Sequence, residues 1–227
     1  MRRLAAVLLL VVGFVIVPAV AIPAMLRWRV QLALHRDLAA EAATVRLLGG
    51  PTAALTGYFR RIQLRIERAH VDTLVVQELS GEFAPVQIDS RTAWRDGRLV
   101  VRYLGPGRAV LRVHERDLAR YLEGKGIRGA RVRLDAGRLI LEGRVVVLNT
   151  PVDVTVQGRL FVQRGRDVVL AVETLAISGL VIPNEVGTVL MASVNPLLTV
   201  EHLPVPLRLR ELTAEHGILT LIAESSS

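Results

Sequence analysis

The chain has 227 residues, is 51% hydrophobic but only 4% aromatic, lacks cysteine and carries a formal net charge of +8, with Lys125 its single lysine. Lack of cysteine excludes disulfides, iron–sulfur clusters and thiol nucleophiles, and the scarcity of aromatic rings leaves little stacking surface for bases or sugars. The positive charge is arginine, whose planar fork suits phosphate groups such as anionic lipid headgroups, although a GC-rich coding preference for arginine explains it equally well.

Arg2 and Arg3 precede an uncharged run from Leu4 to Leu26, followed by Arg27-Trp28-Arg29. At ~1.5 Å per residue that run can cross a hydrocarbon layer of about 30 Å. It reads equally as a secretory signal with Ala19-Val20-Ala21 as the cleavage motif. Residues 1–26 are therefore expected to be a signal peptide or an N-terminal membrane anchor, and Trp28 fits a membrane–water boundary. The remainder is expected outside the cytoplasmic membrane, anchored at its outer face or secreted into the cell envelope.

Residues 27–43 are predicted helical from Val30, Leu34, Leu38 and Ala42, with Gly49-Gly50-Pro51 turning the chain. Residues 55–59 read as an irregular connector. Ile62, Leu64 and Ile66 alternate with Gln63, Arg65 and Glu67, which predicts a strand with one wet face. Further strands are expected near 73–79 and 86–94, and Asp96-Gly97 predicts a hairpin into 99–103. Gly105-Pro106-Gly107 breaks the chain before a strand at 108–113. A short helix follows over 115–123, acidic at its start, with Leu118, Tyr121 and Leu122 on one side. Strands at 130–134 and 139–148 then flank a turn at Asp135-Ala136-Gly137.

The longest predicted elements are two strands joined at Arg164-Gly165. In the first, Val152, Val154, Val156, Leu160 and Val162 alternate with Asp153, Thr155, Gln157, Arg159 and Gln163, a period of two. The second, 167–178, is apolar on both faces: Val168, Leu170, Val172 and Ala176 on one, Val169, Ala171, Leu175 and Ile177 on the other. Each spans roughly 40 Å at ~3.3 Å per residue, and a helix, a second sheet or a lipid must cover so long an aliphatic face. Pro183 is expected to open a helix bearing Val186, Val189, Leu190 and Val194, ended by Asn195-Pro196. Strands at 205–213 and 217–223 precede a frayed tail at 225–227. The likeness among Asp96-Gly97, Ala136-Gly137 and His216-Gly217 is read as shared turn chemistry, not as a repeat. Nothing resembles an internal linker, so residues 27–224 are expected to form one domain.

Catalytic signatures are missing. His35, His70, His114, His202 and His216 show no ligand spacing, no serine lies in a G-x-S-x-G turn, and no phosphate loop ends in Lys-Ser or Lys-Thr. Glu142, beside Arg144 on its own face, and Glu173, facing solvent or paired with an arginine, interrupt apolar strands and are read as structural residues. The chain is accordingly not expected to be an enzyme or to need a cofactor or metal. Its arginines are spread along strand exteriors, which argues against nucleic acid.

Asp117-Leu118, Thr150-Pro151-Val152, Gly158-Arg159-Leu160, Ile182-Pro183, Asn195-Pro196-Leu197 and Leu203-Pro204-Val205-Pro206-Leu207 resemble the LmeA-like phospholipid-binding family of bacterial envelope proteins. The likeness covers roughly residues 35–223, with His114 standing where that family usually starts its short helix with Thr or Ser. The resemblance implies an α+β fold similar to the tubular lipid-binding (TULIP-like) proteins: an elongated, strongly curved, mostly antiparallel sheet wrapped around one or two helices. It also implies a phospholipid or other acyl lipid as partner, at a membrane.

On that reading a lengthwise groove is expected between Val152, Val154, Val156, Leu160 and Val162 on one wall and Val186, Val189, Leu190, Leu197 and Leu198 on the other. Arg159 and Arg208 are the suggested headgroup contacts. The same side chains could instead pack on each other as a closed core. A different alternative is an envelope scaffold or assembly factor that recruits a protein partner through its long sheet.

Overall fold

The computed structural model describes residues 39–50, 52–71, 73–96, 100–147, 150–183, 195–199 and 207–225. The expected leader at 1–26, the helix over 27–38 and the helix after Pro183 lie outside those residues. Among the described residues no helix is long and apolar enough to cross a membrane.

The described residues begin with strand β1 (Ala42–Leu48), one helical turn α1 (Ala53–Thr56) and strands β2 (Tyr58–Phe59), β3 (Arg61–Val71), β4 (Leu74–Phe83) and β5 (Val86–Ile88). Helix α2 (Ser90–Asp96), strands β6 (Val101–Leu104) and β7 (Gly107–His114) and helix α3 (Glu115–Gly124) follow. Then come β8 (Arg128–Asp135), β9 (Arg138–Val147), β10 (Thr150–Gln163), β11 (Asp167–Ile177), β12 (Leu180–Ile182), β13 (Leu198–Thr199), β14 (Leu207–Glu215) and β15 (Ile218–Ser225). The first large sheet runs β1-β3-β4-β7-β15-β14, the second β12-β11-β10-β9-β8 with β13 against β11, and a small sheet runs β2-β5-β6. Adjacent strands are antiparallel in all three.

Three local expectations give way to tertiary pairing. Ala42 and Ala43, predicted as the end of a helix, start β1, because Val45 packs into the core and the segment pairs residue for residue with β3. The strand predicted over 86–94 stops at Ile88: Asp89 accepts a hydrogen bond from the Thr92 N–H at 3.1 Å, and that cap turns the chain into α2. The connector at 55–59 contains the end of α1, closed by Gly57 in the left-handed region at φ 74°, and then β2.

The hairpin turns share one chemistry, as expected. Ala136-Gly137, Arg164-Gly165, Ser178-Gly179 and His216-Gly217 each place two successive residues at positive φ, the twist that tight antiparallel turns require. Asp96-Gly97 is different, since Asp96 ends α2 and 97–99 lie outside the described residues.

Helix α3 joins the two large sheets by packing on β8, β4 and β7, with Leu118 and Leu122 fully buried. His114 supplies no side-chain cap at its start. Instead the Glu115 N–H donates to the Gly217 carbonyl at 2.9 Å, and the Glu115 carboxylate accepts from the Leu134 N–H at 3.2 Å. The second sheet meets β14 end-on. Gly137 N–H donates to the Ala214 carbonyl at 2.9 Å, and Leu209 N–H donates to the Gly165 carbonyl at 2.7 Å. That end of the second sheet is proximal; its distal end carries Arg128 and Thr150.

Candidate functional site

The aliphatic face of β10 and β11 is built by their register. Val154 lies opposite Ile177, Val156 opposite Leu175, Gly158 opposite Val172, Leu160 opposite Leu170 and Val162 opposite Val168. This corrects the expected grouping, which set Leu175 and Ile177 on the face away from Val168 and Leu170. The register shifts at Gln157/Gly158 and leaves Glu173 without a partner, and one unpaired residue exchanges the two faces beyond it. Gly158 is needed there because a methyl group would fall onto the Ala171 carbonyl oxygen.

The proximal half of this inner face is covered by the chain itself. The Asn195 side chain accepts from Leu170 N–H and donates to Leu170 carbonyl oxygen, both at 3.0 Å, as a neighbouring strand would. Leu197 N–H donates to the Val168 carbonyl at 2.9 Å. Leu197 and Leu198 are then buried in one cluster with Val156, Leu160, Val168, Leu170 and Leu175. Towards the distal end Val154 is buried but lies outside that cluster, Val152 is half-buried, and Val145, Ile177 and Ile182 are partly buried against it. Val162 packs partly buried against the core. Val186, Val189 and Leu190 lie outside the described residues.

The two suggested headgroup arginines stand on different sheets. Arg159 alternates onto the polar face of β10, where its Nε lies 2.7 Å from Glu173 Oε1, and Arg138 reaches the other carboxylate oxygen at 3.6 Å. Arg208 is exposed on β14, at the proximal end. Glu142 is likewise ion-paired, with Arg133 at 3.3 Å. Glu173 thus takes the arginine pairing that was one of its two expected settings, whereas Glu142 pairs with Arg133 across the strands and not with Arg144, which Asp153 holds. Among the described residues no group of three or more His, Asp or Glu side chains could hold a metal ion.

A cleft of about 660 Å³ opens at the distal end of the polar face, lined by Arg128, Arg131, Glu142, Arg144, Asp153 and Thr155, with Gly129, Gly143, Pro151 and Val154. A bulge in β8 between Arg128 and Arg131 shapes it. Arg144 is bound by Asp153 at 2.8 Å, which raises its pKa above the ordinary arginine value. Sequence inspection missed this site, because it depends on which residues of β8, β9 and β10 stand side by side. The same end of the sheet exposes Val146 on β9 and Leu180 and Val181 on β12.

Compared with known proteins, residues 17–224 match the family described as LmeA-like phospholipid-binding. No curated protein and no solved structure matches.

Proposed function

The chain belongs to the LmeA-like phospholipid-binding family, and from that premise we propose that it holds phospholipid acyl chains against the distal half of the inner face of β9, β10 and β11. Val152 and Val154 form the floor of this aliphatic groove, Val156 marks where it meets the buried core, and Val186, Val189 and Leu190 are its proposed opposite wall. Leu160, Val162, Leu197 and Leu198 close its proximal end. The protein works outside the cytoplasmic membrane, in the bacterial cell envelope, after export through its hydrophobic leader. A curved sheet around a helix, as in tubular lipid-binding proteins, is the arrangement proposed for the bound state, and the chemistry is carriage of lipid without catalysis.

One observation carries this reading. Val154 is buried without belonging to the main buried cluster, and the aliphatic side chains around it, Val145, Ile177 and Ile182, are only partly buried where they pack against that cluster. Each methylene laid there contributes ~0.8 kcal/mol, so about half a dozen supply ~5 kcal/mol before the cost of association.

Organic extraction of protein purified from membranes, followed by mass spectrometry, tests the proposal. Stoichiometric phospholipid in the extract, and protein-dependent movement of labelled phospholipid between vesicles, are the expected results. Protein that is lipid-free, and that fails to take up short-chain phospholipid, turns the reading towards a scaffold that recruits a partner along a sheet edge.

A further inference from the structure

We propose that the distal cleft between β8, β9 and β10 is a phosphate-binding site that takes the headgroup phosphate of an anionic phospholipid. The inference rests on the acyl-lipid reading for the source of the phosphate, but not for the chemistry of the cleft.

Two rows of side chains cross the polar face here. In the first, Asp153 neighbours Arg144, which neighbours Arg128; in the second, Thr155 neighbours Glu142, which neighbours Arg131. Asp153 is engaged by Arg144 at 2.8 Å and Glu142 by Arg133 at 3.3 Å. Four guanidinium groups thus share two carboxylates, and neither Arg128 nor Arg131 has an ion-pair partner among the described residues.

Like charges directly opposite across two strands repel, and proteins normally compensate them. The same sheet does so elsewhere: Arg138 and Arg159 are also cross-strand partners, and the bulged Glu173 bridges them. At Arg128 and Arg144 the β8 bulge brings no carboxylate. It contributes Gly129, at φ 63° with open space around it. The result is a lining of three arginines and two carboxylates in which Arg128 and Arg131 keep forked donors outside any ion pair among the described residues. They stand beside a side-chain-free recess, the chemistry that binds phosphate through paired N–H groups. Thr155 adds a hydroxyl to the lining.

Position links the cleft to the aliphatic face. The row through the bulge runs across the sheet from Gly143 to Val154, Ile177 and Leu180. Arg144 on β9 and Arg128 on β8 stand one and two strands from Val154 at the distal end of the sheet. There a lipid whose tail lies on Val154 can turn its headgroup over the strand ends, and Leu180 and Val181 are exposed on β12 at the other edge.

The test titrates the full chain with dihexanoyl phosphatidylglycerol, dihexanoyl phosphatidylcholine and inorganic phosphate by isothermal calorimetry. It compares the wild type, the double variant Arg128→Ala/Arg131→Ala, and the control Arg210→Ala, whose guanidinium pairs with Glu224 at 2.8 Å on the first sheet. The expected result is at least tenfold weaker binding of the anionic lipid by the double variant, a smaller loss for the zwitterionic lipid, whose choline offsets the charge of its phosphate, and a control that behaves as wild type. Equal binding of the anionic lipid by wild type and double variant overturns the cleft while leaving acyl binding standing. If the wild type binds neither lipid, the acyl reading fails. Phosphate binding lost in the double variant then still supports the cleft, with free phosphate as its source, and no phosphate binding overturns it.

Discussion

Glu173 Oε1 lies 2.7 Å from Arg159 Nε, and its other oxygen reaches Arg138 at 3.6 Å. The bulge that leaves Glu173 unpaired thus does two things at once. It moves Leu175 and Ile177 onto the aliphatic face and sets a carboxylate between two arginines that face each other across β9 and β10. Glu173→Gln keeps the shape and removes the charge. The expected loss is about 1 kcal/mol by urea denaturation at low salt, shrinking as sodium chloride is raised, since the group is one-third exposed and its interactions are screened. A loss that does not change with salt would assign Glu173 to packing instead.

Asn195 is a side chain acting as a strand. Both its amide groups pair with the backbone of Leu170, and with Leu197 they pin the segment that seals the proximal face. Asn195→Ala leaves two partly buried backbone groups of β11 without those partners. At about 1 kcal/mol for each lost hydrogen bond, a drop of roughly 2 kcal/mol is expected in chemical denaturation. Hydrogen exchange at the Leu170 amide should accelerate with it, while amides of β3 and β4 stay protected.

What the sequence made legible follows from local chemistry. The alternation of Val152, Val154 and Val156 with Asp153, Thr155 and Gln157 belongs to one strand, and the paired positive-φ turns need only two residues, so both were readable. Ala42 fits a four-residue helical spacing as well as a strand, and only its pairing with Glu67 decides. The run after Val86 looked extended because the cap at Asp89 outweighs the propensity of the residues that follow it. The β11 bulge and the Arg128–Arg144 adjacency were illegible for a different reason. Each is a property of register, fixed by neighbouring strands and not by any residue's own neighbours in sequence.

Asp89 gives the fold an acid-sensitive joint. The hydrogen bond from Arg102 at 2.7 Å, with a further one from the Thr92 N–H, lowers its pKa from 3.8 to about 2. A lowered folded-state value means that the ionised form supports the fold. The contribution is complete above pH 3.8 and is lost as pH falls towards 2. Carboxyl chemical shifts followed by NMR should place the Asp89 midpoint near 2, and Asp89→Asn should flatten the stability curve across that window. A midpoint at the ordinary aspartate value would show that the cap and the Arg102 contact are not held in solution.

Val154 and Val156 separate a lipid groove from a closed core, because they are neighbours on one face with different surroundings. Val156 is 1% exposed within the buried cluster, and Val154, at 8%, lies outside it. An arginine at 156 would be an unpaired charge in the core, expected to cost on the order of 3 kcal/mol or more and to unfold much of the population. An arginine at 154 has a route for its long stem towards the distal end, so a loss of about 1 kcal/mol is expected. If acyl chains lie on Val154, Val154→Arg should abolish phospholipid uptake while its thermal melt stays cooperative. A variant that remains folded and still carries its full complement of lipid would remove Val154 from the groove. Unfolding as severe as that of Val156→Arg would mean that the protein fills this end by itself.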